Sequence, residues 1–210
     1  MNGMSRQAAL DDFLERHVFD KWLEDLEPIG KALSEQGESI ETGLCDTFDT
    51  VWIRTAELQK QGTKGDIHYV YISLLRTGIM ENIPCYRIDV HDHNWYLDTV
   101  DCSALWRADF IFEPLFRRMA GLETAKTAYA RKVTPMDLAR IQQIEAVKYH
   151  LLTVEFMKSM LPLLLNSSAY RQVAKSPNIR WMMGEFRDQS ELLVDGERAA
   201  NGGTIGVDNE

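Results

Sequence analysis

At 210 residues and a net charge of −9, with 45% apolar and 26% charged side chains, the chain has the makeup of a folded globular protein. Such a length can bury roughly 70% of the surface that the unfolded chain exposes, so folding requires no metal or disulfide staple. The acidity argues against a dedicated nucleic-acid binder, whose affinity comes from lysines and arginines on phosphates.

The longest strongly apolar run, 160–165, is far too short to cross a bilayer. Cys45, Cys85 and Cys102 are odd in number and lack a C-x-x-C pair, which reads as reduced thiols in a reducing compartment. With no apolar leader at the N-terminus, the expected location is the cytoplasm. The charge is uneven: from Asp188 onward six acids face one base, a net −5 of the chain's −9.

Leu10, Leu14, Val18, Trp22 and Leu26 recur every four residues and predict a first helix, which Pro28 should kink or end near Glu27. Gly37 reads as a break. Ile40, Leu44, Phe48, Val51, Thr55 and Leu58 predict a second helix, ending at Lys60-Gln61-Gly62.

At Asp66 the period changes. Residues 67–75 are β-branched and aromatic with almost no polar interruption, as in a strand buried on both faces. After a connection at 77–82, Tyr86, Ile88 and Val90 alternate with Arg87, Asp89, His91 and His93, predicting a second strand and an antiparallel hairpin. Residues 94–97 read as an extension of that strand or a third short one.

Helix returns beyond Asp101, with Asp101 or Ser103 as cap and Leu105, Ala108 and Phe112 on one face; Pro114 kinks it or opens a new helix, and Gly121 breaks it. Thr134-Pro135-Met136-Asp137 is a helix start, with Thr134 as cap, Pro135 in the first turn and Asp137 at the positive end of the dipole. The helix should run over 135–161 on a stripe of Ile141, Ile144, Val147, Leu151, Val154 and Met157. A last short helix is expected over 178–193. The whole reads as α+β: a predominantly helical single domain over 1–194 with a central antiparallel β-hairpin or three-stranded sheet, followed by an acidic, glycine-containing disordered tail at 195–210.

One segment carries candidate chemistry. Strand alternation would project Asp89, His91 and His93 from one face, with His68 across the hairpin, a set able to hold a divalent transition metal for hydrolysis. The plainer reading is a solvated strand face. No nucleophile elbow, Glu-x-x-His pair or phosphate loop is present; Gly62-Thr63-Lys64-Gly65 leads into a strand and lacks the spacing of a Walker loop.

A local basic excess at 117–140, with Arg117, Arg118, Arg131 and Lys132 as its prominent members, could meet an anion or acidic partner, or simply form a solvated helix face. Trp95, Trp106 and Trp181, with Met182 and Met183, fit either a recognition surface or a core.

The expectation is therefore a non-enzymatic interaction or accessory protein that recognises another macromolecule, a protein partner above all, without cofactor. The alternatives are a metal-dependent hydrolytic enzyme on Asp89, His91 and His93, and a regulatory module binding a small anion.

Overall fold

The computed structural model describes residues 4–196. In chain order it contains α1 (Arg6–His17), a 3₁₀ turn (Lys21–Asp25), α2 (Leu26–Lys60), β1 (Ile67–Leu74), α3 (Arg76–Met80), β2 (Cys85–His91) and a 3₁₀ turn at Trp95–Leu97. There follow β3 (Ser103–Arg107), α4 (Asp109–Ala125), a 3₁₀ turn (Lys126–Tyr129), α5 (Pro135–Leu165), α6 (Ser168–Gln172), β4 (Lys175–Glu185) and β5 (Ser190–Asp195). The class is α+β, and none of the described helices is long and apolar enough to cross a membrane.

Contacts divide the chain into two units, each built from separate stretches. Of the described residues, the first takes in 4–40, Arg76–Pro84 and Arg107–Thr153; the second takes in Glu41–Leu75, Cys85–Trp106 and 154–196. Because the chain enters each unit repeatedly, no break in composition marks either.

The first unit is helical. Phe13 of α1 meets Tyr129 edge to face at 5.3 Å, and Ile111, Phe112 and Leu115 of α4 are buried, with Phe112 against Tyr149 of α5. α5 starts as expected: the Asp137 N–H donates to Thr134 Oγ1 (3.2 Å), and the Thr134 N–H donates back to the Asp137 carboxylate (2.8 Å), a reciprocal cap.

Of the expected stripe Ile141, Val154 and Met157 are buried, whereas Ile144, Val147 and Leu151 are exposed. Beside Ile141 and Ala146, Leu138, Gln142, Glu145, Tyr149 and Thr153 are buried, and the polar members of this row all have partners. Gln142 donates to the Ile79 carbonyl (2.6 Å), Glu145 accepts from Arg118 (3.1 Å), and Thr153 donates to the Tyr149 carbonyl (2.8 Å).

The second unit is a five-stranded sheet in the order β3-β2-β1-β4-β5, with β1 parallel to β4 and antiparallel to β2. Val70, Ile72 and Leu74 sit opposite Val90, Ile88 and Tyr86 on one side, and Val70 and Ile72 opposite Trp181 and Met183 on the other. All of these are buried on one face of the sheet. Phe48 and Trp52 of α2 pack on it, 5.4 and 5.7 Å from Trp181, and Phe156 of α5 stacks on Trp106 at 6.0 Å.

Several expectations are corrected. Pro28 does not end a helix: α2 begins at Leu26, so the proline sits in its first turn, where a missing N–H costs no hydrogen bond. Gly37 and Gly121 lie inside α2 and α4. Residues 103–107 are a strand, with α4 starting only at Asp109.

The helix expected over 178–193 is the β4–β5 hairpin. Ile179, Trp181 and Met183 alternate inward at period two, and a Cβ on Gly184 would collide with the Gln189 carbonyl of the paired strand. The sheet thus has five strands where two or three were expected. Asp195, the expected start of a tail, ends β5, and residues 197–210 lie outside the described part.

Candidate functional site

The opposite face of the sheet is built from the alternate positions of the same strands. Tyr69, Tyr71 and Ser73 of β1 lie beside His91, Asp89 and Arg87 of β2, and beside Arg180, Met182 and Gly184 of β4. Two turns border this face. One is the 3₁₀ turn with Trp95 and Tyr96; the other is the β4–β5 turn with Phe186 and Arg187.

Between them lies a cavity of about 240 Å³, lined chiefly by Tyr71, Ser73, Arg87, Asp89, His91 and Tyr96, with Phe186 and Arg187 closing one side. A shallower depression adjoins it over Trp95, Tyr96, Met182 and Ser190, and the two share Tyr71, Tyr96 and Arg187.

Polar groups at the cavity floor are buried. Asp89 is 7% exposed, and both its oxygens accept from Arg87 Nε, at 2.8 and 2.9 Å. The Arg87 Nη2 donates to Asp101 at 2.9 Å. Burial opposes the charge on this guanidinium, but Asp89, with Asp101 behind it, holds its pKa above the ordinary arginine value. Ser73 is 5% exposed and lines the cavity. Burial lowers the His91 pKa, more than Asp89 raises it, so the imidazole is neutral near pH 7.

Aromatic side chains form the rim. Trp95 stacks on Tyr96 at 4.8 Å and lies 5.6 Å from Tyr69, while Tyr96 lies 5.5 Å from Tyr71 and 5.6 Å from His91. The Trp95 indole N–H donates to the Tyr71 hydroxyl at 3.0 Å. Desolvation, with the neighbouring Tyr71, pushes the Tyr96 phenol up to about 12, so it stays protonated. Even so, Trp95 and Tyr96 remain 44% and 53% exposed. Both Trp95 (φ 55) and Arg187 (φ 58) adopt the left-handed conformation that bulky residues avoid, which places backbone strain at the two edges of one site.

A buried ion pair fixes the Trp95 turn from beneath. The Lys64 ammonium, fully buried, donates to Asp98 Oδ2 (2.6 Å) and to the Val90 and Val100 carbonyls (2.9 Å each). The Asp98 carboxylate also accepts from the Asp92 and Val100 N–H groups. Burial alone would raise the Asp98 pKa, but Lys64 and these two N–H groups outweigh it and hold it below the usual carboxylate value. Asp92 accepts from the Asn94 N–H (2.8 Å), and its Oδ2 would lie 3.3 Å from any Cβ at Gly65, so Gly65 lets the loop sit close. The Thr63-Lys64-Gly65 segment thus holds a loop in place.

The residues singled out in the sequence are distributed as follows. Asp89 and His91 share the open face and line the cavity. His93 falls beyond the end of β2, in a turn, with its ring exposed and 6.4 Å from that of His68. Among the described residues no group of three or more His, Cys, Asp or Glu side chains is placed to hold a metal ion, so Asp89, His91 and His93 are not assembled as a ligand set.

The basic stretch disperses. Arg117 pairs with Glu113 on the surface (2.9 Å), and Lys132 donates to the Met4 carbonyl (2.6 Å). Arg131 is exposed at φ 67. Arg118 is turned inward to Asp25 and Glu145 (3.1 Å each) and to the Tyr149 hydroxyl, which itself donates to Asp25.

Of the tryptophans, Trp106 and Trp181 are core and Trp95 is surface. Sequence reasoning missed Lys64, Ser73, Asp98 and Arg187. A lysine three residues before a strand with both faces buried was the available signal for Lys64; none marks the others.

The fold and site define an α+β protein with one sheet face covered by helices and the other carrying a polar, aromatic-rimmed cavity. No family model, curated protein or solved structure matches the chain.

Proposed function

We propose that this protein is a non-enzymatic recognition module that binds a partner macromolecule on the open face of its sheet, with one group of the partner entering the cavity. The observation that carries the reading is a cavity open to the outside whose lining joins polar Ser73, His91 and the Asp89–Arg87 pair to the exposed, stacked rings of Trp95 and Tyr96 at its edge. The exposed Trp95, Tyr96 and Leu97 beside the cavity extend the contact surface beyond the volume of a single group, as recognition of a chain requires.

The test is a fragment library titrated into isotopically labelled protein and read by amide and side-chain NMR shifts. Hits are expected to move Ser73, His91, Tyr96 and Arg187 together, and to lose affinity in Tyr96→Ala. A library without hits, or hits that map away from this face, would overturn the reading.

A further inference from the structure

The chemistry lining the cavity is specific enough to name a ligand class, an inference that rests on the recognition reading above. Consider charge first. In the cavity Arg87 and Arg187 are balanced by Asp89 and Asp101, Asp98 is neutralised internally by Lys64, and His91 is neutral through burial; the adjoining depression adds the carboxylate of Asp188, which further disfavours an anion. An anion entering the cavity would face two carboxylates, and a cation would face two guanidiniums. The balance favours a ligand without net charge.

The hydrogen-bonding groups are mixed in kind. Ser73 both donates and accepts, neutral His91 has one site of each kind, Asp89 has further lone pairs, and Arg87 retains N–H groups beyond those given to Asp89 and Asp101. Ligand hydroxyls, which also donate and accept, complement such a set. A peptide backbone presents separate donors and acceptors, and the indole N–H that could serve a peptide carbonyl is already given to Tyr71.

The walls supply the apolar part. Tyr96 and Phe186 flank the cavity, and the stacked Trp95–Tyr96 pair continues as a platform over the adjoining depression. Rigid rings with an apolar face and a polar edge suit a ligand whose own rings have C–H faces and hydroxyl edges.

We infer that the cavity and the Trp95–Tyr96 platform together bind a neutral oligosaccharide, with one sugar ring among Ser73, Arg87 and Asp89 and the next stacked on the platform. Two contiguous subsites sharing Tyr71, Tyr96 and Arg187 require at least two linked rings for full affinity.

The experiment titrates the full chain with maltotriose, cellotriose, xylotriose, mannotriose and N-acetylchitotriose, each beside its monosaccharide, and reads tryptophan fluorescence and NMR shifts. Oligogalacturonate and decaproline serve as charged and peptide comparators. At least one neutral trisaccharide is expected to saturate with a Kd of about 1 mM or below, roughly tenfold tighter than its monosaccharide. Its shifts should fall at Ser73, Arg87, Trp95 and Tyr96. Tyr96→Ala, on the surface, should weaken binding about tenfold with the NMR spectrum otherwise intact, and Ser73→Ala several-fold. If decaproline or the charged oligomer saturates this face instead, or fragments map to it while every neutral oligosaccharide fails, the oligosaccharide inference falls and the recognition reading stands. If nothing maps to the face, both fall.

Discussion

Replacing Asp98 tests the support on which the site rests. The Lys64–Asp98 pair is almost wholly buried, with side chains 0% and 3% exposed, and Lys64 spends its three N–H donors on Asp98, Val90 and Val100. Asp98→Ala leaves a buried ammonium with two neutral carbonyls and frees the Asp92 and Val100 N–H groups as well. Breaking a buried pair in this way costs about 3–5 kcal/mol.

For a chain of this size each kcal/mol moves Tm by about 2–4 °C, so a fall on the order of 6–20 °C is expected. Urea denaturation read by tryptophan fluorescence gives the free energy, since Trp52, Trp95, Trp106 and Trp181 all lie in the sheet unit. Asp98→Asn keeps the shape and loses the charge, and should cost about 2 kcal/mol near neutral pH.

The pH dependence has a definite sign. Asp98 has a folded pKa held below its unfolded value of about 4, so its contribution is complete above that value and is lost as pH falls through the folded pKa. Wild-type and Asp98→Asn stabilities should therefore converge below about pH 4. A loss under about 1 kcal/mol in Asp98→Ala, or a gap to Asp98→Asn that stays constant into acid, would refute the argument.

Gly184→Ala should destabilise by about 3 kcal/mol, because its Cβ would overlap the Gln189 carbonyl and lie 2.6 Å from Ser190 Cα, whereas Gly37→Ala, with open space inside α2, should stabilise by about 0.5–1 kcal/mol. Chemical denaturation of both checks the strand assignment and the unbroken helix together; equal effects would contradict it. Arg118→Met leaves the Asp25 carboxylate inside the helical unit without its cation and Glu145 with Lys148 alone, and should cost about 3 kcal/mol, against less than about 0.5 kcal/mol for the surface Arg117→Ala. Similar values for the two would return Arg118 to the surface. Arg187→Gly should raise stability by about 1 kcal/mol by relieving the left-handed backbone, while weakening ligand binding. A destabilised variant would show that the φ of 58 stores no strain.

The hairpin was legible because Tyr86, Ile88 and Val90 alternate cleanly with polar residues, and the α5 start because Thr134, Pro135 and Asp137 form a local cap. Both signals act over a few residues. The α5 core row was hidden because burial there follows partners as well as hydrophobicity. Gln142 and Glu145 are inside since Ile79 and Arg118, distant in sequence, satisfy them, while apolar Ile144 and Val147 stay outside.

The β4–β5 hairpin escaped because Pro177 and the methionines suit a helix locally, whereas pairing with β1 is a contact between segments about a hundred residues apart. Of the site, Asp89 and His91 were visible through strand alternation. Ser73 was not, since one serine in an apolar strand carries no periodicity, and Asp98 gains its role only when Lys64 reaches it.

On the proposed recognition reading, these placements bear on how the site would gain affinity. A loop of the length between β2 and β3, if free, would lose conformational freedom on binding, at about 1–2 kcal/mol for each residue ordered. Here Lys64, Asp92 and Asp98 hold that loop from the protein side, through contacts that no ligand has to make. Trp95 and Tyr96 are thereby presented in place, and the energy of stacking and hydrogen bonding is not spent on ordering them. The same reasoning explains why strain is tolerated at Trp95: its left-handed backbone is offset by the indole hydrogen bond to Tyr71, by stacking on Tyr96 and by a tilted ring contact with Tyr69, and those contacts set the platform's orientation. Loosening the Lys64–Asp98 pair should therefore weaken ligand binding as well as stability, although neither side chain belongs to the aromatic platform.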